Sequence, residues 1–596
     1  MGAIITAEIE YRQRLEARRQ AFAESDAQHR RWGDFRLFVL AALLVLVYWR
    51  LWWGVLFCVL LLFALGVKMQ ALEDARSRWR RTIEFYETGL ERLAGRWAGK
   101  GLTGEAFLPA EHLYARDLDL FGIGSLFELL CRARTRMGQS KLAQWLLGPA
   151  PFGVVVARQE AVRELSDRLD LREDLAVIVG GNAAEVNSEA LAAWGEAPGI
   201  LVVGHLRPLF WLLSILGLLA IAAFVALLVG VPLPGLRIFA LAMVVICGSV
   251  FLRYRAQSTA VLEGAEHAVH ELALLSAVLR RFESENFVAP ELLALQREMQ
   301  VEGEPPSVRI AQLRRWMDLA DSRDHVLLKA AGPVILWDLH LAIGLEAWRE
   351  KSGPALRRWM DAVAEMEALV SFAGYRYENE SDVFPELVAE GVCLEGVGMS
   401  HPLMPRTQAV ANDLRLGEPL QALVVSGSNM SGKSTLMRTV GVNVVLAQAG
   451  GVVRATSLRL TSLQVGASIQ THDSLAANTS RFYAEILRLR DILQQAGEGP
   501  VLFLIDEVLS GTNSHDRRIG AEAILRGLVQ RGAIGLTSTH DLALTRIVEE
   551  LGGTGGNVHF EDQLVDGVMR FDYKMREGVV THSNAIALMR AVGLEV

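Results

Sequence analysis

Hydrophobic and polar positions follow three different rhythms along this chain. Residues 1–35 are charged and helical in pattern. Residues 37–49 (LFVLAALLVLVYW) then carry no charge, Arg50 interrupts, and residues 51–67 (LWWGVLFCVLLLFALGV) are uncharged again. Residues 209–231 form a longer uncharged run, which Pro232, Pro234 and Gly235 break; after Arg237, residues 238–252 make a fourth. A hydrocarbon layer of roughly 30 Å needs about 20 apolar helical residues, with ~17 as the lower end. The pattern predicts two transmembrane helical hairpins turning at Arg50 and Arg237, with Tyr48, Trp49, Trp52 and Trp53 at an interface. Buried core helices are the competing reading, and the length of the 209–231 run argues against them. A cleavable signal peptide does not fit, because a long charged stretch precedes the first arm.

Flanking charge sets the expected topology. Arg30, Arg31 and Arg36 precede the first hairpin, Lys68, Arg76, Arg78, Arg80 and Arg81 follow it, and Arg207, Arg253 and Arg255 flank the second. Hairpins place all of these on one side, as the positive-inside rule requires. That assigns the chain to the inner (cytoplasmic) membrane with its C-terminal third in the cytoplasm.

Outside the arms, apolar spacing is helical up to about residue 376, as in Leu126, Leu129 and Leu130 followed by Leu142, Trp145 and Leu146. From about 385 short β-rich runs, "ALVVSG", "VLFLIDE" and "AIGLTSTH", alternate with helical stretches, the mark of a parallel α/β sheet. The expected organisation begins with a cytoplasmic helix (1–35), a first hairpin (36–67) and a juxtamembrane helical linker (68–118). A helical core segment (119–205), a second hairpin (206–255), a second core and lever segment (256–376) and an α/β ATPase domain (377–596) follow.

Composition narrows the chemistry. The 51% hydrophobic content is concentrated in the apolar arms, and a net charge of −8 supplies no global basic field for nucleic acid. Four scattered cysteines form neither a disulfide framework nor a zinc spacing, and His472, His515 and His540 are not at metal-ligand spacing. No metal cluster is expected.

Residues 427–434, GSNMSGKS, fit G-x-x-x-x-G-K-[ST] between an apolar strand and a helix. Backbone N–H groups of such a loop close on phosphates at a helix N-terminus. The binding segment is Gly427, Ser428, Asn429, Met430, Ser431, Gly432, Lys433, Ser434 and Thr435. Lys433 would reach the β- and γ-phosphates of ATP, and Ser434 would bind Mg²⁺. In VLFLIDE, Asp506 is the second Mg²⁺ residue and Glu507 is placed to orient the attacking water. His540 ends a further strand, where it can sense the γ-phosphate or the water.

These motifs and their order resemble the MutS family of mismatch-repair ATPases. "GSNMSGKST" and "LMRTVGVNVVLAQAGGVVRA" are similar to the family's loop and following helix, "DEVLSGTNSHDR" and "STHDLAL" to its Walker B extension and histidine motif, and "FDYKMREGVVTHSNAIALMRAVGL" to its closing segment. "SLFELLCRARTRMGQSKLAQWLLGP" resembles the start of its helical core. "DSLAANTSRFYAEI" (473–486) is similar to the segment whose serine, here Ser480, reaches the γ-phosphate of a partner subunit. The resemblance implies a P-loop α/β domain of the MutS/ABC type, Mg²⁺-dependent ATP hydrolysis, a homodimer with composite sites, and double-stranded, mismatched or branched DNA as partner. Membrane hairpins stand where the mismatch-reading domain is expected. Phe85-Tyr86-Glu87 mimics the family's probing tripeptide without that domain, and reads as chance. Ser428 and Ser431 replace the Pro and Gly that the family tends to carry. The alternative is an ATP-driven membrane switch or transporter acting on something other than DNA; "LSGTN" (509–513) follows Walker B, whereas a transporter signature precedes it.

Overall fold

Arg50 reverses the chain, as a charge between two apolar arms predicts. In the computed structural model, which describes residues 2–178, 187–201, 203–229, 234–428, 430–469, 481–565 and 568–580, helix α1 (Gly2–Tyr48) runs unbroken from the charged stretch into the first arm. Arg50 takes a left-handed backbone (φ 57°), the Leu51 N–H donates to the Leu46 carbonyl at 3.0 Å, and helix α2 (Trp52–Leu93) returns beside α1. Val39, Cys58 and Leu65 are buried between the two helices. Phe38, Leu44, Trp53, Phe57 and Phe63 face outward and are more than half exposed.

Beyond Lys68 the seam between α1 and α2 becomes polar and then aromatic. Arg76 pairs with Asp26 at 2.7 Å, and Arg18 with Glu173 at 3.0 Å. Tyr11, Leu15, Phe85, Tyr86 and Leu169 form a buried cluster. Phe85-Tyr86-Glu87 is therefore a packing element: its two rings are core, and Glu87 pairs with Arg19 at 2.7 Å.

The chain forms two compact units that interleave in sequence: residues 1–133, 139–177 and 367–596 make one, and residues 134–138 and 178–366 the other. The second unit is helical among its described residues. There, helix Arg207–Leu228 buries a stripe of Phe210, Ser214, Gly217, Ala220 and Ala223. Leu212, Ile215, Leu218, Leu219 and Phe224 point away from that stripe and are exposed. A Cβ on Gly217 would stand 2.3 Å from the Val334 carbonyl oxygen, and the Ser214 hydroxyl donates to the Ile335 carbonyl at 2.8 Å. Arg237 does not form the turn: the following helix begins at Pro234, because proline's fixed φ suits a first helical turn. Among the described residues, three helices carry stretches long and apolar enough to cross a membrane, in Trp52–Leu93, Arg207–Leu228 and Gly235–Ala273. The apolar end of α1 is too short to join them.

The first unit holds two sheets. Strands β1 (Glu386–Val388), β2 (Cys393–Met399), β3 (Asn412–Gly417) and β5 (Ser457–Thr461) form one, in the order β1-β5-β2-β3. The other contains β4 (Ala422–Ser426), β6 (Gln464–Ser468), β7 (Val501–Ile505), β8 (Ile534–Thr539), β9 (Gly555–Val565) and β10 (Val568–Glu577), in the order β10-β9-β4-β8-β7-β6. All its neighbours are parallel except β9 and β10. β4, β7 and β8 are buried along their whole length, which explains why β4 and β7 read as apolar runs. Helix Lys433–Ala449 packs on this sheet, and Gly441 lets it approach: a Cβ there would meet Leu118 at 2.5 Å and Leu504 at 2.9 Å.

Candidate functional site: a phosphate loop at the sheet's carboxyl edge

Three neighbouring parallel strands end together, and each ends in a candidate residue. β4 runs into the glycine loop, β7 into Asp506 and Glu507, and β8 into His540. In open α/β sheets this carboxyl edge is where ligands bind. Gly432 caps the helix with φ 108°, a conformation that side chains resist, so the loop can bend into the helix N-terminus.

Lys433 is buried and donates to the carbonyls of Gly427 and Ser428, both at 2.8 Å. Burial pushes its pKa down, while Asp506 and Glu507 push it back up. The Ser434 hydroxyl, in the first turn of helix Lys433–Ala449, donates to Asp506 Oδ2 at the end of β7 at 2.5 Å, so oxygens from a helix start and a strand end meet. Among the described residues, the Ser428 and Ser431 hydroxyls are buried without a hydrogen-bond partner. Buried polar groups are ordinarily satisfied, and in a phosphate loop these two are donors in waiting. Met430 at the loop tip has φ 69° and is exposed.

Glu507 also adopts a left-handed backbone (φ 48°), as does Leu509 (φ 52°); such strain gathers at functional sites. His540 Nδ1 lies 3.6 Å from Glu507 Oε1, too far for a hydrogen bond but close enough to share one water or phosphate oxygen. A cavity of about 430 Å³ adjoins these groups. Lys433, Ser434 and Glu507 line it, together with His401, Met404, Asn412, Tyr573 and others.

Sequence reasoning therefore found the residues that converge: Gly427, Lys433, Ser434, Asp506, Glu507 and His540. Asn429 and Ser480 lie outside the described residues. His515 sits exposed near the start of helix Ser514–Gln530.

Several supporting residues escaped the sequence reading. Ser538 donates to Asp506 Oδ1 and accepts from the Glu507 N–H at 2.9 Å; its only signal was a hydroxyl in an apolar strand. Buried Glu485 accepts from the Leu509 N–H at 2.7 Å. Asp117 accepts from the Ile469 N–H at 2.7 Å and pairs with Arg488 at 3.1 Å. These partners are remote in the chain, and no local pattern announces them. His401 lines the cavity with its pKa pushed down to about 4 by burial and by Arg438 and Arg454, so it is neutral at pH 7.

A parallel sheet with a glycine loop between strand and helix, and an acidic pair on the neighbouring carboxyl edge, defines a P-loop nucleotide-binding domain. The family model of MutS domain V matches residues 423–595. The chain is 33% identical over 273 residues to "DNA mismatch repair protein MutS" of Brevibacillus brevis, covering 44% of this chain and 31% of that protein. It is 32% identical over 261 residues to "DNA mismatch repair protein MutS 2" of Halobacterium salinarum, covering 43% and 30%. It is 35% identical over 202 residues to "Endonuclease MutS2" of Thermus thermophilus, covering 33% and 25%. Residues 423–595 match MutS domain V, and over the aligned stretches the chain is similar to MutS-family proteins. It spans less than a third of the length of these relatives.

Proposed function

We propose that this chain is a membrane-anchored, Mg²⁺-dependent ATPase that works as a dimer switch. The observation that carries the ATPase reading is the convergence of Lys433, Ser434, Asp506 and Glu507 on one sheet edge. Lys433 exchanges the two loop carbonyls for the β- and γ-phosphates, and the orphan Ser428 and Ser431 hydroxyls add donors. Ser434 and Asp506 supply the oxygens that suit Mg²⁺, which takes one or two carboxylates and substrate phosphates. Mg²⁺, when bound, offsets phosphate charge. Glu507 holds the water in line for attack, and His540 senses the γ-phosphate beside it. Ser480 of the partner subunit completes each site, so ATP favours a closed dimer and hydrolysis reopens it.

Membrane anchoring rests on the outward faces of the apolar helices. Contiguous exposed Leu, Phe and Trp over several helical turns is costly in water and favourable in hydrocarbon. DNA, mismatched or branched, is the partner that the relatives' names suggest. One observation favours a second reading, a switch acting on a membrane or protein partner. The α1–α2 hairpin is bonded directly to the stretch that leads into the ATPase sheets, through Arg92 and Tyr11 to Glu378.

The test is Mg²⁺-ATPase activity of the detergent-purified chain with and without homoduplex, mismatched and branched DNA, beside a Glu507→Ala control. Stimulation by one DNA class supports DNA processing. Glu507-dependent turnover indifferent to all three supports the membrane switch, and turnover that survives Glu507→Ala refutes the site assignment. Release of the chain from membranes by alkaline carbonate would refute anchoring.

A further inference from the structure

A second cavity, of about 280 Å³, lies near the nucleotide pocket, and Met404 lines both. Its walls include Arg92 and Trp97 at the end of α2, Arg406 on the segment after β2, and Arg454. Glu378 is saturated: it accepts from Arg92 at 2.7 and 2.8 Å, from Arg132 at 2.9 Å and from Tyr11 at 3.3 Å. Asp382 pairs with Arg406 at 2.5 Å and lies 3.8 Å from Arg454. Asp382 thus serves two guanidinium groups, Arg406 and Arg454, and Arg454 is buried. A buried guanidinium that shares its one carboxylate with a second arginine favours a further anion beside it.

Donors are also available. Arg454 is 7% exposed; its Nη1 donates to the His401 and Met404 carbonyls at 3.2 and 2.7 Å and its Nη2 to Asn379 Oδ1 at 3.4 Å, while its Nε has no hydrogen-bond partner among the described residues. Both side-chain bonds of Arg406 run through Nη2, to Asn379 and Asp382, which leaves Nε and Nη1 for another acceptor. Guanidinium groups suit phosphate in particular, because the planar fork matches two of its oxygens. Trp97, Leu93 and Leu403 add an apolar wall.

We propose that this cavity is a second ligand site, which takes a small organic phosphate with its anionic head between Arg406 and Arg454 and its apolar part along Trp97. The source is soluble. If the membrane reading holds, Arg92 lies about 25 residues beyond the last apolar residue of α2, roughly 37 Å along the helix, out of reach of a lipid headgroup.

The test titrates phenyl phosphate and inorganic phosphate calorimetrically into the full chain in detergent, with Lys433→Ala present to weaken phosphate binding at the nucleotide loop. Phenyl phosphate should bind once per chain, more tightly than inorganic phosphate, and adding Arg406→Gln should weaken it roughly tenfold or more. No saturable heat at millimolar phenyl phosphate, or a dissociation constant unmoved by Arg406→Gln, would overturn the site. Should Arg406→Gln fail to fold, Trp97→Ala takes its place: it should erase the preference for phenyl phosphate, and a preserved preference refutes the proposal.

Discussion

The Ser434 hydroxyl donates to Asp506 Oδ2 at 2.5 Å, joining two motifs 72 residues apart. Ser538 holds the other carboxylate oxygen and also accepts from the Glu507 N–H at 2.9 Å. One serine thus contacts both Asp506, the proposed Mg²⁺ residue, and Glu507, proposed to orient water. Partners of this kind govern affinity for the ion rather than for the nucleotide. Ser538→Ala should raise the Mg²⁺ concentration for half-maximal ATPase activity by about 10-fold or more, with ATP binding little changed. Mg²⁺ titrations of turnover and a fluorescent-nucleotide binding curve check the two halves; an unchanged Mg²⁺ requirement refutes the role.

Lys433 gives a pH signature. Burial lowers its pKa from the ordinary 10.5, against the pull of Asp506 and Glu507. The free site loses its proton at a lower pH than an exposed lysine, so ATP affinity should decline as pH rises toward 10.5. Stability moves the other way. Over that interval the unfolded chain binds more protons than the folded one, so the ligand-free fold gains stability as pH rises. Lys433→Ala should remove the alkaline decline in affinity and weaken ATP binding on the order of 100-fold. Binding curves across pH for both chains make the comparison.

The motifs that make local sense were legible in the sequence. The glycine loop, the Asp506–Glu507 pair and His540 each sit at a strand end, where an apolar run stops and polarity begins. Arg50 was legible as a turn because a charge interrupts two uncharged arms. Arg237 was not, because proline that ends one helix also starts the next. Ser538, Glu485 and Asp117 could not be read, since their roles depend on register between parallel strands and on contacts up to 352 residues apart.

Glu507 separates binding from hydrolysis. Its carboxylate lies beside His540, while the groups proposed to contact phosphate belong to the loop. Glu507→Ala should lower turnover by about 10²–10⁴-fold and leave ATP affinity within roughly threefold of wild type. Equal losses in binding and turnover would place Glu507 among the ligand-holding groups instead.

Glu378 is the buried carboxylate where α1, α2 and the end of helix Leu356–Glu378 meet. Burial alone would raise its pKa, but Arg92 and Arg132 outweigh burial and hold it below the ordinary 4.5. A depressed carboxylate stabilises the fold above its unfolded pKa and loses that contribution as pH falls through the folded value. Glu378→Gln leaves two buried guanidinium groups without their counter-charge, and should cost about 3–5 kcal/mol at pH 7. The difference from wild type should shrink below pH 4.5, where the native carboxylate also becomes protonated. Denaturant melts at both pH values measure it.

The proposed composite site makes the sharpest demand on the proposed dimer. A chain carrying Glu507→Ala has a dead catalytic edge but an intact Ser480 segment, and a Ser480→Ala chain has the reverse. When both defects fall in one chain type, no site recovers. When the two variants are mixed, each mixed dimer contains one doubly damaged site and one fully intact site. Random pairing in equal amounts should therefore restore roughly a quarter of wild-type turnover, provided subunits exchange. If Ser480 serves its own chain's nucleotide, every site keeps one defect and the mixture only averages the two impaired rates. ATPase assays of the separate variants, the mixture and a doubly substituted chain distinguish these outcomes, and simple averaging would refute composite sites.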